Sequence, residues 1–424
     1  MATNTSLPPI DRRTFLSGAL AAGVAARARL ARAAGGAVFL VPGYQPWQAR
    51  FAGRPVTETP SLMRAVPRGW AGPLVMVTRL DEAGGAPRRA MFPVAGHQIC
   101  ARPGRGDAVF CSINGDTLAR FDSADLTLAA MGRAHRPGFI GGGHGAYTRG
   151  GAALLTSERM AFAPFSGDAR AHYGRIAVRD PDTLDVLDSF SAHGVSPHEI
   201  QVLDDGRHVA IANYGTTLKP GGSLDDVLRY VIEPILTIVE VASGRLAHKI
   251  TASDPAFEIR HLAAPRLDRV FAIHAHMVLP GALPAAMADR DRVYDPDRSG
   301  GGVAYLPAPV LRGSVALAVN DPLLTRQGQS IVYDPAHDQV IATFTSSHAV
   351  IAFDGASGAV KATIRTDRLG LRYPRGVALH PDGVHYVVSG SWSDLFTFRR
   401  ADHQLARPRR HYETFFEHSH LTII

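Results

Sequence analysis

The chain has 424 residues, 46% of them hydrophobic and 20% charged, with 42 Gly and 29 Pro. This supplies apolar material for a substantial core and turn formers for an all-β repeat, and it excludes a disordered or fibrous chain. The net charge of +7 is concentrated at the start, where Arg12, Arg13, Arg27, Arg29 and Arg32 face only Asp11; the nearly balanced remainder has no Lys/Arg run and gives no reason to expect nucleic acid as a partner.

The first residues read as an address. Asp11-Arg12-Arg13-Thr14-Phe15-Leu16 opens a modestly apolar run to residue 26, and Ala31-Arg32-Ala33 follows as a small-x-small cleavage site. This is the order of a twin-arginine export signal over residues 1–33, with Arg12 and Arg13 as its recognition pair. The expectation is a mature domain of residues 35–424, exported already folded to the periplasm. No run of eighteen apolar residues follows residue 35, so no transmembrane span is expected in it.

A short phrase then recurs seven times: one polar residue, usually His, opens a short apolar strand, a Gly/Pro/Asp turn follows, and a second apolar strand returns. The openers are His97, His144, His198, His261, Gln329, Arg375 and His420, spaced by 47, 54, 63, 68, 46 and 45 residues. A propeller blade of four strands repeats at about 40–50 residues, with longer values where loops are inserted. Seven units therefore predict an all-β, seven-bladed propeller. Turns such as Asp204-Asp205-Gly206 and Pro381-Asp382-Gly383 supply the hairpin connections.

Cys100 and Cys111 fall on the two strands of the first such hairpin. An oxidising compartment would permit a disulfide, but cross-strand geometry is demanding, and two buried thiols are the expected state. Two insertions, near 219–235 and 276–310, lengthen the middle repeats. In the first, Leu224, Val227, Leu228, Val231 and Ile232 have helical spacing after Ser223 as a cap; the second is rich in Pro, Gly, Asp and Arg and reads as a long surface loop.

The last opener leaves no room for a hairpin, since only four residues follow His420. Its neighbours must come from the other end of the chain, at 37–41 and 74–78. Such pairing of N- and C-terminal strands closes the ring and removes an exposed sheet edge.

If the openers begin the innermost strands, all seven meet at one mouth of the central channel. Imidazole suits Zn, Cu, Fe and Ni, so His97, His144, His198, His261 and His420 are candidate ligands of a transition metal. Arg375 and Gln329 complete the ring and favour a small anionic ligand. Glu158, Glu199, Arg260 and Asn213 are candidates for the layer behind it, where carboxylates orient ring N–H groups. The competing reading has each His hydrogen-bonded to the next blade, merely holding the blade angle. His274, His276, His348, His385, His403, His411 and His418 are read as ordinary surface or core residues.

The phrases Gly143-His144-Gly145-Ala146-Tyr147, Leu155-Thr156-Ser157-Glu158, His193-Gly194-Val195-Ser196-Pro197-His198-Glu199, Ile211-Ala212-Asn213 and Ile259-Arg260-His261-Leu262, with Gly96-His97 and His420-Leu421, occur in that family order along the mature chain. Together they resemble a bacterial family of exported propellers classed as a domain of unknown function, number 1513, commonly encoded beside imelysin-type iron-uptake proteins. The chain departs from that pattern at Arg159, at Tyr214 after Asn213, and over residues 224–234. The resemblance implies an envelope protein tied by gene context to iron uptake, with envelope iron-uptake proteins as partners, and implies no reaction.

No nucleophile elbow, phosphate loop, His-Glu-x-x-His or haem-attachment phrase occurs. The expected role is therefore a binding or accessory protein in metal handling rather than an enzyme. The alternatives are a channel-centred metalloenzyme or lactonase-like hydrolase, which Glu158 with Asn213 faintly resembles although the His-rich ring does not, and a scaffold that binds another protein through the 276–310 loop.

Overall fold

In a computed structural model the described residues are 36–44, 50–51, 54–161, 166–218, 229–231, 233–251, 258–275, 277–278, 304–305, 310–390, 394–411 and 420–424. The stretch carrying Arg12 and Arg13, most of both insertions, His276 and His418 lie outside them. No helix among the described residues is long and apolar enough to cross a membrane.

Seven antiparallel sheets of four strands make seven blades of a β-propeller. The innermost strands, in ring order, are Thr422–Ile423, Gly96–Ala101, Phe139–Tyr147, Pro197–Val202, Glu258–Arg266, Gly328–Asp334 and Pro374–Leu379, and each meets the next around the axis. We number the blades one to seven in that order. Each blade packs both faces against neighbours, so its middle strands are apolar throughout instead of alternating. Asp107–Ser112 and His385–Gly390, for example, bury every residue except the first, which is half-buried.

Seven apolar clusters fill the seven gaps between blades. Phe92, Phe110 and Phe121 wedge blades one and two; Phe271, Phe344 and Phe353 wedge blades five and six; Val41, Leu395 and Leu421 join blade seven to blade one. At roughly 1.5–3 kcal/mol for each large apolar side chain buried, these wedges rather than loop contacts hold the ring.

Ring closure follows the sequence expectation. Blade one takes its inner strand, Thr422–Ile423, from the C-terminus and the next two, Val38–Tyr44 and Val75–Asp81, from the N-terminus. Phe39 lies opposite Ile423 and Leu40 opposite Thr422. Thr422 Oγ1 then donates to Ile99 O of blade two at 2.6 Å, which fixes the closing strand to the blade beyond the seam.

Two expectations are corrected. Residues 229–231 are not helical: Arg229–Val231 pairs with Thr216–Leu218 as a two-stranded ribbon, which suits Tyr230 and Val231, residues that prefer a pleated surface. The second insertion is not all loop, since Met277–Val278 pairs with Ala304–Tyr305, and Val310 already belongs to the third strand of blade five, Val310–Arg312. Cys100 and Cys111 are free thiols. Cys100 faces Val109 and Cys111 faces Gln98, so the two are offset rather than opposite.

Candidate functional site

The openers do not all begin their strands, as the sequence suggested. His144 is the sixth residue of Phe139–Tyr147 and His261 the fourth of Glu258–Arg266. What unites them is a break in register. In blades two to seven the inner strand slips against its partner at or beside the opener: between Gly96 and Gln98, Gly141 and Gly145, Pro197 and Ile200, Ile259 and His261, Gly328 and Ser330, and Pro374 and Val377. A bulge kinks a strand and redirects a side chain, and six of them place the openers toward the axis.

Each bulge frees backbone groups that must be satisfied. Second-strand hydroxyls do this within blades: Ser157 Oγ bridges His144 N and O, Thr343 Oγ1 bridges Ser330 N and O, and Ser389 Oγ bridges Gly376 N and O. Side chains next to the openers do it between blades. Gln98 accepts from Gly145 N at 2.9 Å, Glu199 from Leu262 N at 2.9 Å, and Ser330 from Val377 N at 3.2 Å. Ser, Thr, Gln and Glu thus share the blade angle with His97, His198, His261 and His420, whose rings also reach a neighbouring blade, and of the five imidazoles only His144 makes no ring hydrogen bond.

Glycines create the space. Gly143 has φ +108, and a Cβ there would stand 2.8 Å from His97 Cδ2 and 3.1 Å from His198 Cε1. At Gly142 it would meet Pro197 O at 2.3 Å. The chain therefore approaches two imidazoles as only glycine allows.

The five His come from five consecutive blades, one to five, and close into one cluster. His144 lies at its centre, with ring centroids 5.0 Å from His97, 4.4 Å from His198, 5.5 Å from His261 and 4.8 Å from His420. His97, His144, His198, His261 and His420 are 3%, 0%, 1%, 2% and 7% exposed, so the ring is enclosed rather than an open channel mouth. Gln329 and Arg375 of blades six and seven are equally buried and face each other, Nη1 to Oε1, at 3.5 Å.

Two trios have ligand atoms within 4.8 Å of one another: His97, His144 and His198, and His144, His261 and His420. Burial, with the neighbouring imidazoles, holds His144 and His198 well below the ordinary histidine range; burial likewise pushes His261 and His420 down to about 3. These four rings are neutral near pH 7 and keep a lone pair. The partners set which nitrogen offers it. His198 Nδ1 donates to Gly142 O at 2.5 Å and His261 Nδ1 to Glu199 Oε2 at 3.1 Å, which leaves each Nε2 as the ligand atom. His97 and His420 approach Nε2 to Nε2 at 3.0 Å. Neither nitrogen of His144 has a hydrogen-bond partner.

Of the four residues expected behind the ring, Glu199 is in place, with Oε2 on His261 and Oε1 3.9 Å from His144 Nδ1. Burial raises its carboxyl to about 7. Glu158 is turned elsewhere: its oxygens bind His135 Nδ1 at 2.6 Å and the Arg179 guanidinium. Asn213 Nδ2 binds Ile211 O and Thr237 Oγ1, so Glu158 and Asn213 do not assemble a lactonase-like pair. Arg260 lies over the Tyr214 ring and pairs with Glu258. Tyr214 itself, which in the sequence stood out only as a departure from the family pattern, packs on His198 with centroids 4.5 Å apart.

A family model described as "Protein of unknown function (DUF1513)" matches residues 90–292, a span that contains His97, His144, His198 and His261. No curated protein matches the chain. Among solved structures, one titled "Kuenenia stuttgartiensis Hydrazine Synthase" is 15% identical, with a TM-score of 0.49 over 77% of this chain and 90% of that one.

Proposed function

We propose that this protein binds a transition metal on the axis of its propeller, through imidazoles from blades one to five. One observation carries the reading: His144 is wholly buried, neither ring nitrogen has a hydrogen-bond partner, and four other imidazoles surround it. An unsatisfied buried polar group costs about 1–3 kcal/mol, which an apolar side chain of similar size would avoid. A metal repays that cost, because neutral imidazole nitrogens are its preferred donors among Zn, Cu, Fe and Ni.

Glu199 orients His261 and supplies nearby negative charge, as carboxylates behind metal-bound histidines do. Arg375 and Gln329 give the same axis a polar side suited to a small anion that accompanies the metal. The enclosure of the ring favours holding an ion over turning over a substrate. Together with the twin-arginine phrase at Arg12 and Arg13 and the resemblance to propellers encoded beside iron-uptake proteins, this supports an accessory role in periplasmic iron handling.

The test is elemental analysis of protein purified without chelator, repeated after stripping and reloading with Fe, Zn, Cu or Ni. Stoichiometric metal, lost in a His144→Ala, His198→Ala double variant that still melts cooperatively, is the expected result. A metal-free protein that cannot be reloaded overturns the reading.

A further inference from the structure

We infer that the axial cluster is built for two metal ions that share His144 as a bridging imidazolate. This rests on the metal-binding reading above and specifies the kind of centre formed. Both trios that can hold an ion include His144. The other rings offer one inward nitrogen each: Nδ1 of His198 is used by Gly142 O and Nδ1 of His261 by Glu199, while His97 and His420 face inward through Nε2. Of the five axial imidazoles, His144 is the one with neither nitrogen in a hydrogen bond. Six nitrogens thus point inward in two sets of three, which is the donor count of two open-sided imidazole sites.

The orientation agrees. His144 Nδ1 lies 3.9 Å from Glu199 Oε1, and the other oxygen of that carboxylate holds His261, so Nδ1 faces the His261 and His420 trio. Nε2 is left for His97 and His198. When the second nitrogen–metal bond forms, the remaining N–H bond of His144 breaks and its proton leaves to solvent. No electron is transferred. The bridging anion and Glu199 together offset part of the charge of two divalent ions.

The experiment titrates the chelator-stripped full chain with Cu(II), measuring bound copper after desalting, protons released, and the electron paramagnetic resonance signal. Two copper ions per chain are expected, with an additional proton released on the second binding step and a signal that loses intensity on cooling because the imidazolate couples the two spins. His144→Gln should bind one ion or fewer, and any bound copper should give a full, uncoupled signal. Saturation at one ion overturns the shared bridge and leaves the metal-binding reading standing. Two ions with uncoupled spins also overturn it. Failure to bind copper, iron, zinc or nickel at all overturns both.

Discussion

His420 and His97 stand 323 residues apart in the chain and meet Nε2 to Nε2 at 3.0 Å, across the seam where blade one is completed. The two Nε2 atoms make at most one hydrogen bond with each other, whereas each can serve an ion on its own side, His97 beside His198 and His420 beside His261. The closing strand, Thr422–Ile423, is only two residues long, so a metal held through His420 also secures ring closure. A ligand at a hundredfold excess over its Kd stabilises the native state by about 2.7 kcal/mol. Metal should accordingly raise Tm of the stripped protein and slow carboxypeptidase digestion of its C-terminus. In His420→Ala both effects should shrink. Equal protection in that variant would show that His420 takes no part.

Glu199 is a positioning residue for His261, through Oε2, and accepts Leu262 N with the same oxygen. Loss of such a carboxylate commonly lowers metal affinity by about 10–100-fold. Glu199→Ala should fall in that range by competition with a chelator of known affinity, and Glu199→Gln, which keeps an acceptor, should fall less. Unchanged affinity in Glu199→Ala would remove Glu199 from the site.

Gly143→Ala and Gly84→Ala form a matched pair. Their φ values are +108 and +105, so the backbone cost is similar, but an added Cβ at Gly84 meets nothing within 4 Å while at Gly143 it presses on His97 and His198. Gly84→Ala should cost about 1 kcal/mol or somewhat more and leave metal binding intact. Gly143→Ala should cost more and lower metal affinity at least tenfold. Identical behaviour of the two would refute the close approach.

Glu158 gives stability a dependence on acid pH. Burial pushes its carboxyl up, but hydrogen bonds from His135 and the charge of Arg179 outweigh this and hold it below the ordinary range. A lowered native value contributes stability that is complete above the unfolded pKa, about 4.3, and is lost as pH falls through the native value. Glu158→Gln leaves Arg179 buried without its anion and should cost about 3–5 kcal/mol at pH 7. Its denaturation midpoint should also fall less steeply than the parent's below pH 4. A parent curve that is flat in that range would contradict the assignment.

The free thiols are directly countable. Burial pushes Cys100 up to about 12 and Cys111 well above the ordinary thiol value. Neither should react with iodoacetamide at pH 8 in the native state, and both should react in denaturant without reductant. Unreactive cysteines in denaturant would mean a disulfide.

The fold was legible because the repeat is carried by features that sequence displays: an opener, an apolar run and a Gly/Asp turn. Closure was legible because His420 has no hairpin partner of its own. The bulges were not, since a register slip leaves no residue-type mark beyond a glycine beside some openers, such as Gly96, Gly143, Gly328 and Gly376, and glycine marks turns equally well. A second repeat also stayed hidden. The turns from Asp122, Asp180, Glu240, Asp354 and Arg399 each put the fourth following residue at positive φ, but three of these are Leu126, Leu184 and His403 rather than Gly. Glu158 misled because a carboxylate near a predicted His says nothing of Arg179, which approaches it from the adjacent strand of the same blade. Glu199 was found because it follows an opener, and residues there face the next blade.

X-ray absorption of the metal-loaded protein tests the central claim most directly, since it reads ligands from the metal outward. A first shell of nitrogen at about 2.0–2.1 Å is expected if zinc is the ion, with outer-shell scattering from about three imidazoles per metal, diminished in His144→Ala. A shell of oxygen or sulfur without imidazole scattering, or a spectrum unchanged by that substitution, would place the metal elsewhere and contradict it.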